Sequence, residues 1–430
     1  ADAAPMGTDS ASFYKDDRNH QKREHPERFF DKIMSMSNDR TRRILVSIPT
    51  NSYAQRHMLE GVLKYARERH GDNWRLQLDL GGFVCQRLKC FADWKCDGII
   101  AYIDDPSARA HFLSAKLPTV LIEPFLSPHS KIPARKNTVT FVNDDMLEGE
   151  TAAKYFLARH FKSFAYISSS EKTPWVRLRE RGFVKFLQSK GYSCKVYPEL
   201  MDDEREDFAR EMPRLVKWLK DLPRPTAVFT PHDLRARQIL TAADAADIDV
   251  PGHIAVLGVD NDELICETAT PALSSISTRE NLHGYACGRA LEELFRGHPG
   301  NRVIRTAHTH VVSRASTDIN AIDDPFVARA LNWAHHNLST GASVDAIAKG
   351  IGYSKRMLQI RARRSLGQSL SDEIRRLMLT SAAELLSNTD KSVSDIAAVC
   401  GFTSVSHLSL RFKKHYQQTP LAYRKATYQK

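Results

Sequence analysis

The sequence predicts an α/β protein of two parallel-sheet lobes, followed by an all-α domain with two helix-turn-helix motifs. Three observations carry this. Short apolar runs alternate with amphipathic stretches across residues 42–317. The C-terminal quarter repeats itself at an offset of 49 to 50 residues. Nearly all of the net charge of +11 sits in that quarter: residues 325–430 hold 16 Lys and Arg against 6 Asp and Glu, a net +10, while residues 1–324 are almost neutral at +1. Such asymmetry directs a polyanionic partner to the C-terminal unit alone.

Composition narrows the class. With 42% hydrophobic and 26% charged residues in 430, the chain is globular and long enough for several domains. No run approaches the roughly 18 apolar residues that a membrane span needs, so no membrane partner is expected. Residues 1–40 are polar, lack an apolar signal region and are expected to form a disordered leader. Seven scattered cysteines suit a reduced, cytoplasmic setting. Cys85, Cys90 and Cys96 lack a fourth nearby ligand, so no metal is expected. Gly81-Gly82 reads as a turn, and His308 with His310 as a surface pair on one strand face. No G-x-S-x-G, G-x-x-x-x-G-K-[ST] or H-E-x-x-H motif is present, so no catalytic residues are assigned and the chain is not read as an enzyme. A cytoplasmic sugar-processing enzyme with a DNA-binding appendage is the alternative reading.

The elements follow in order. Strand-like runs lie at 44–48, 74–80, 98–103, 119–122, 139–142, 164–167, 194–197, 227–229 and 254–259. Helical periodicity fills 55–69, 146–159, 175–190, 208–220 and 234–246. Strand and helix alternating in this way mean βαβ units and parallel sheets. The span is too long for one sheet, so it divides near 143–144, and the domains fall at 1–40, 41–320 and 321–430.

Ligands of open parallel sheets bind at the carboxyl ends of strands. Here those ends carry Asn51, Arg56, Asp104, Glu123, His232, Asp233, Asp260 and Asn261, with Trp175 and Arg179 opening a helix just beyond another strand. Carboxylates accept from paired hydroxyls, Arg and Asn donate, and an indole stacks on the apolar face of a sugar. The set is therefore expected to bind a monosaccharide, although single Asp and Asn residues there also suit helix caps.

In the C-terminal unit, SVDAIAKGIG at 343–352 matches SVSDIAAVCG at 392–401, and LQIRARR at 358–364 matches LSLRFKK at 408–414. Each copy reads as a capping Ser, a short helix, a Gly-containing turn and a basic second helix. A long amphipathic helix at about 370–386 holds the copies apart. Candidate DNA contacts are Ser354, Lys355, Arg356, Gln359 and Arg363 in the first copy, and Ser404, Ser406, His407, Ser409 and Lys413 in the second. Arg361, Arg364, Lys414 and Arg424 are expected to meet phosphates. Ala362 stands where the second copy has core residue Phe412, which leaves a gap for a neighbour to fill.

These residues carry resemblances. Ile396-Ala397, Cys400-Gly401-Phe402, Leu408, Phe412-Lys413 and Thr419-Pro420 resemble the signature of AraC/XylS-type transcription regulators. VLGVDN at 256–261, PALSSI at 271–276, and Arg179 followed by Gly182-Phe183 are similar to the sugar-binding core of LacI/GalR regulators and periplasmic sugar receptors. The resemblance implies a periplasmic-binding-protein-like fold, a sugar-responsive activator without cofactor, operator DNA and RNA polymerase as partners, and a homodimer. The combination of the two parts, with Asn51, Arg56, Trp175, Arg179 and Asp260-Asn261 in place, is itself a resemblance, and that resemblance implies D-xylose as effector, with Glu123 and His232 departing from the pattern.

Overall fold

The computed structural model describes residues 41–80, 94–103, 106–123, 135–171, 173–306, 309–389 and 391–427. The expected leader at 1–40 lies outside them, as do Gly81-Gly82, Cys85, Cys90, Asp104 and His308.

The first lobe contains β1 (Arg42–Ser47), α1 (Tyr53–His70), β2 (Trp74–Asp79), β3 (Gly98–Tyr102), α2 (Pro106–Ser114), β4 (Thr119–Ile122) and β5 (Thr138–Asn143). The chain then enters the second lobe through α3 (Asp145–Ala158), β6 (Ser163–Tyr166), α4 (Pro174–Ser189), β7 (Lys195–Val196), α5 (Asp202–Glu206), α6 (Phe208–Lys220), β8 (Thr226–Phe229), α7 (Asp233–Asp244), β9 (Ile254–Val259), α8 (Glu263–Thr268) and β10 (Ser274–Ser277). It returns through α9 (Glu280–Phe295) to β11 (Arg302–Thr306) and crosses again to β12 (His310–Val312). The sheets run β11-β5-β4-β3-β1-β2 and β12-β10-β9-β8-β6-β7. All described pairings are parallel except β10 with β12.

The nine expected runs coincide with β1–β9. They were readable because strands buried on both faces are nearly continuous apolar sequence; Ile254 to Val259 are buried throughout. Three strands were not among them. β10 reads SSIS, and its first two serines are buried because polar partners meet them: Ser274 Oγ lies 2.7 Å from Thr317 Oγ1, and Ser275 Oγ donates to the Asp233 carboxylate. β11 is half-exposed and β12 is only three residues long. His310 is half-buried in β12, and burial, with Arg279 nearby, lowers its imidazole to about 3.

Two glycines set the packing that matters for the site. A Cβ on Gly149 of α3 would lie 2.1 Å from the Arg179 carbonyl, and one on Gly182 of α4 would lie 2.0 Å from that of Met146. The two helix backbones therefore touch, which no larger residue allows.

The all-α domain has α10 (Pro325–His336), α11 (Val344–Gly350), α12 (Lys355–Leu366), α13 (Leu370–Asn388), α14 (Val393–Val399), α15 (Val405–Tyr416) and α16 (Pro420–Thr427). Helices α11 with α12 and α14 with α15 form the two motifs, and their turns pass through Gly352 and Gly401 at φ +66° and +77°. The gap at Ala362 is filled by α10, whose Val327, Ala330 and Leu331 share its core. In the second copy Phe412 instead meets Tyr416 and Tyr423. Among the described residues no helix is long and apolar enough to cross a membrane.

Candidate functional site

The centre of the cleft is Arg179, one turn into α4. Its guanidinium is buried, donates to Glu148 and to the Pro231 carbonyl, and lies 3.6 Å from Asp145 and 4.0 Å from Asp260. The Trp175 ring covers it, with 4.7 Å between the guanidinium carbon and the ring centroid. The close approach of α3 and α4 puts Asp145 and Glu148 there. Asp260 arrives because β9 ends in two non-glycine residues at positive φ, Asp260 at +108° and Asn261 at +54°; such strain is held where the surroundings over-determine it.

One cation thus serves two buried carboxylates, Asp145 and Glu148, and the partly exposed Asp260. Burial pushes Asp145 up to about 8, and Glu148 adds to the rise while Arg179 opposes it. Burial also raises Glu148 and Asp260, with Glu280 of α9 contributing to both. Burial alone would lower the Arg179 guanidinium, but Glu148, Asp145 and Asp260 hold it above its ordinary value. These upward shifts favour the protonated form of a carboxyl in the cluster, which can donate as well as accept.

His232 caps α7, with Nδ1 accepting from the Arg235 amide at 3.1 Å. That leaves the hydrogen on Nε2. Burial, then Arg179 and Arg235, lower the ring to about 3, so it is neutral. Its Nε2 is buried with no hydrogen-bond partner among the described residues, as are Asp145 Oδ1 and Thr173 Oγ1. The indole of Trp175 stands edge-on to the ring at 6.0 Å. Burial, then Glu263 and Asp262, push Tyr53 at the start of α1 up to about 12.

The structure thus brings together Trp175, Arg179, His232 and Asp260 from the expected set. Others have partners elsewhere. Asp233 accepts from Ser275 Oγ at 2.5 Å and from the Asp262 amide at 2.8 Å, bracing the strand ends. Asn261 Oδ1 accepts from Arg314 at 2.9 Å. Glu123 lies 3.2 Å from Arg109. Arg56 donates to the Thr50 carbonyl at 2.9 Å, and Asn51 is exposed. Asp104 is outside the described residues. The expected set did not contain Asp145, Glu148 or Glu280; one signal for the first two was their place in a helix opening directly after a strand end.

On the all-α domain, Arg356, Gln359 and Arg363 are exposed on one face of α12, and Ser406 and Lys413 on the matching face of α15. Ser354 and Ser404 are N-caps, accepting from the Met357 and His407 amides. Lys355 pairs with Asp345 at 2.7 Å. His407 is turned toward Phe402, and Ser409, two residues on, is half-buried. Two expected phosphate contacts turn inward instead: Arg361 pairs with Asp324 at 2.7 Å, and Arg424 donates to the Lys391 carbonyl at 2.6 Å.

Helix α3 links the two regions. Its first turn holds Asp145 and Glu148. At its other end, the Ala158 carbonyl accepts from Arg376 of α13 at 2.8 Å, and His160 Nε2 lies 3.0 Å from Glu373. Cationic groups are favourable at a helix C-terminus, where carbonyls lack partners. Burial would raise Glu373, but hydrogen bonds from His160 and Arg376 pull it down to about 2. Beside this latch, a cavity of about 300 Å³ separates α3 from the second motif, lined by Tyr155, Ala383, Tyr416 and Tyr423 among others.

Comparison with known proteins follows the same division. Residues 153–317 match the Periplasmic binding protein-like domain family, and residues 347–426 match a Helix-turn-helix domain family. The Xylose operon regulatory protein of Escherichia coli (strain K12) is 27% identical over 386 residues, 89% of this chain and 96% of that protein. The Probable transcription factor PqrA of Proteus vulgaris is 36% identical over 96 residues, 22% of this chain and 79% of that protein. A solved structure of the xylose-binding transcription activator xylR superposes with a TM-score of 0.57 at 26% identity, covering 90% of this chain and 99% of that one. All three are named for the control of transcription.

Proposed function

The chain belongs to the AraC-type helix-turn-helix regulators of transcription, and from that premise we propose that a monosaccharide held between the two lobes, D-xylose first among candidates, is its effector. Relatives that share both parts include a xylose operon regulatory protein and a xylose-binding activator. The observation that carries the reading is a set of buried polar atoms that make no hydrogen bond among the described residues: His232 Nε2 and Asp145 Oδ1 near Arg179, and Thr173 Oγ1 at the start of the same helix. Buried polar groups are normally paired, and a polyol supplies both donors and acceptors to such a set. Trp175 offers an apolar plate for the ring face, while Arg179 and the shared proton of the carboxylates match hydroxyls of either sense. Asn51, Arg56, Asp104 and Glu123 are the first lobe's contribution on closure, and Asp233 and Asn261 hold the far wall in place.

In this reading the protein works in the cytoplasm as a homodimer. Sugar draws Asp145 and Glu148 to new partners, α3 moves as a rod, and its far end shifts the latch on α13. The DNA-binding domains then reach adjacent operator half-sites and present the chain to RNA polymerase. Sugar stabilises the state it prefers only by its differential affinity. A thermal-melt panel of pentoses and hexoses tests the proposal. At a hundredfold excess over its dissociation constant, the true effector adds about 2.7 kcal/mol to stability and changes operator affinity. A panel in which no sugar shifts the melt sinks the proposal.

A further inference from the structure

The two DNA-facing helices share a feature that the charge pattern hides. Ile360 of α12 and Leu410 of α15 are equivalent residues of the two repeats, 50 apart. Both are large, apolar and exposed, at 51% and 71%. Neither belongs to the core: in each helix the buried side is formed by the residues two before and two after, Leu358 with Ala362 and Leu408 with Phe412, all fully buried.

Helical spacing puts Ile360 on one surface with Arg356 and Arg363, at intervals of four and three residues, and Gln359 precedes it on the chain. These four side chains line one groove of about 210 Å³ together with Ser369, Leu370 and Ser371 at the start of α13. The same spacing puts Leu410 between Ser406 and Lys413, both exposed. An aliphatic side chain therefore stands in the middle of each polar or basic face, where a purely phosphate-seeking surface has no use for it.

The basic flanks commit the occupant to nucleic acid. Within the major groove one apolar group is presented by the base edges, the 5-methyl of thymine. We propose that Ile360 and Leu410 read thymine methyl groups in the operator, one in each of two successive major grooves, and so set sequence specificity beside the polar contacts. The inference rests on operator binding by the two motifs. It adds two specificity-determining residues that neither charge nor hydrogen-bonding capacity would nominate.

The full-length protein is used to select duplexes from a random library. Each thymine of the selected duplex is then replaced singly by deoxyuridine, which removes only the methyl. Two positions about 10 base pairs apart should each lose about fourfold in affinity, the effect of removing one buried methyl group. Ile360→Ala should abolish the sensitivity at one position and Leu410→Ala at the other, because a coupled pair shows its energy only when both partners are present. Both side chains are exposed, so the melts of the variants should match the parent. Deoxyuridine substitution without effect at every thymine overturns the proposal on the unaltered protein, whatever the variants do. Methyl sensitivity that survives in both alanine variants also overturns it. If no duplex is enriched at all, operator binding itself fails, and this inference with it.

Discussion

Replacing Glu373 by Gln tests whether the latch couples the two domains. The carboxylate side chain is fully buried and gathers three partners: His160 at 3.0 Å, Arg376 at 3.0 Å through Nε, and Gln368 at 2.5 Å. Gln keeps the shape and one acceptor but removes the charge. A carboxyl held at about 2 instead of its ordinary 4.5 corresponds to roughly 3 kcal/mol at neutral pH. About a quarter of the His160 and Arg376 side chains meets solvent, and screening there lowers the figure to about 2 kcal/mol. Because the folded-state value is depressed, this stability is fully present above about 4.5 and is lost as pH falls toward 2. Glu373→Gln should therefore melt below the parent at pH 7, and the two melts should converge as the pH is lowered through that window. Hydrogen exchange should rise at the end of α3 and in the first turns of α13. In operator titrations with and without sugar, the factor by which sugar changes affinity should shrink toward one. A variant with parental exchange at α3 and an undiminished sugar factor would refute coupling through this contact.

Other outcomes follow from the same geometry. Arg179→Gln should destabilise the chain by about 3 kcal/mol at pH 8 and abolish the sugar-induced melting shift. Its deficit should be smaller at pH 5, because Asp145, Glu148 and Asp260 can then protonate; an equal deficit at both values would mean that Arg179 acts by packing alone. The parent holds a proton on Asp145 up to about 8 when folded but only to 3.8 as the ordinary value, so this group costs stability progressively as pH rises between them. Asp145→Asn should flatten that decline in a melt series from pH 5 to 8, and an unchanged slope would place the proton elsewhere in the cluster. Arg356→Ala should cost a selected duplex about 2 kcal/mol more than random DNA if it reads a base. Affinity of the parent for DNA should fall steeply, roughly a thousandfold between 50 and 200 mM salt for about six phosphate contacts, while sugar affinity changes little. Titrations of both ligands over that salt range check this.

The legible parts of this molecule are those whose sequence has one reading. Buried parallel strands are apolar runs, and a repeated Ser, helix, Gly, basic helix pattern has few other meanings. β10 was hidden because its buried serines are satisfied by Thr317 and Asp233, partners that no local pattern reveals. The site divides in the same way. Arg179, Trp175 and Asp260 stand at strand ends, where loops and helix starts collect function. Asp145, Glu148 and Glu373 do not announce themselves, because an acid in the first turn of a helix is already explained by the helix dipole. Only the backbone contact through Gly149 and Gly182 turns the first two toward Arg179, and only the docking of α13 turns the third toward His160. These hidden acids lie at both ends of one element. The 14 residues of α3 span about 21 Å at 1.5 Å each, from the cation at the cleft to the carbonyl gripped by Arg376. A ligand that withdraws Asp145 or Glu148 from Arg179 changes what holds the near end, and a rigid helix cannot absorb that change along its length. The far end must then move or strain its latch. The proposed sugar site and the DNA-binding unit lie on separate parts of the chain, and this helix is the physical reason for expecting each to sense the other.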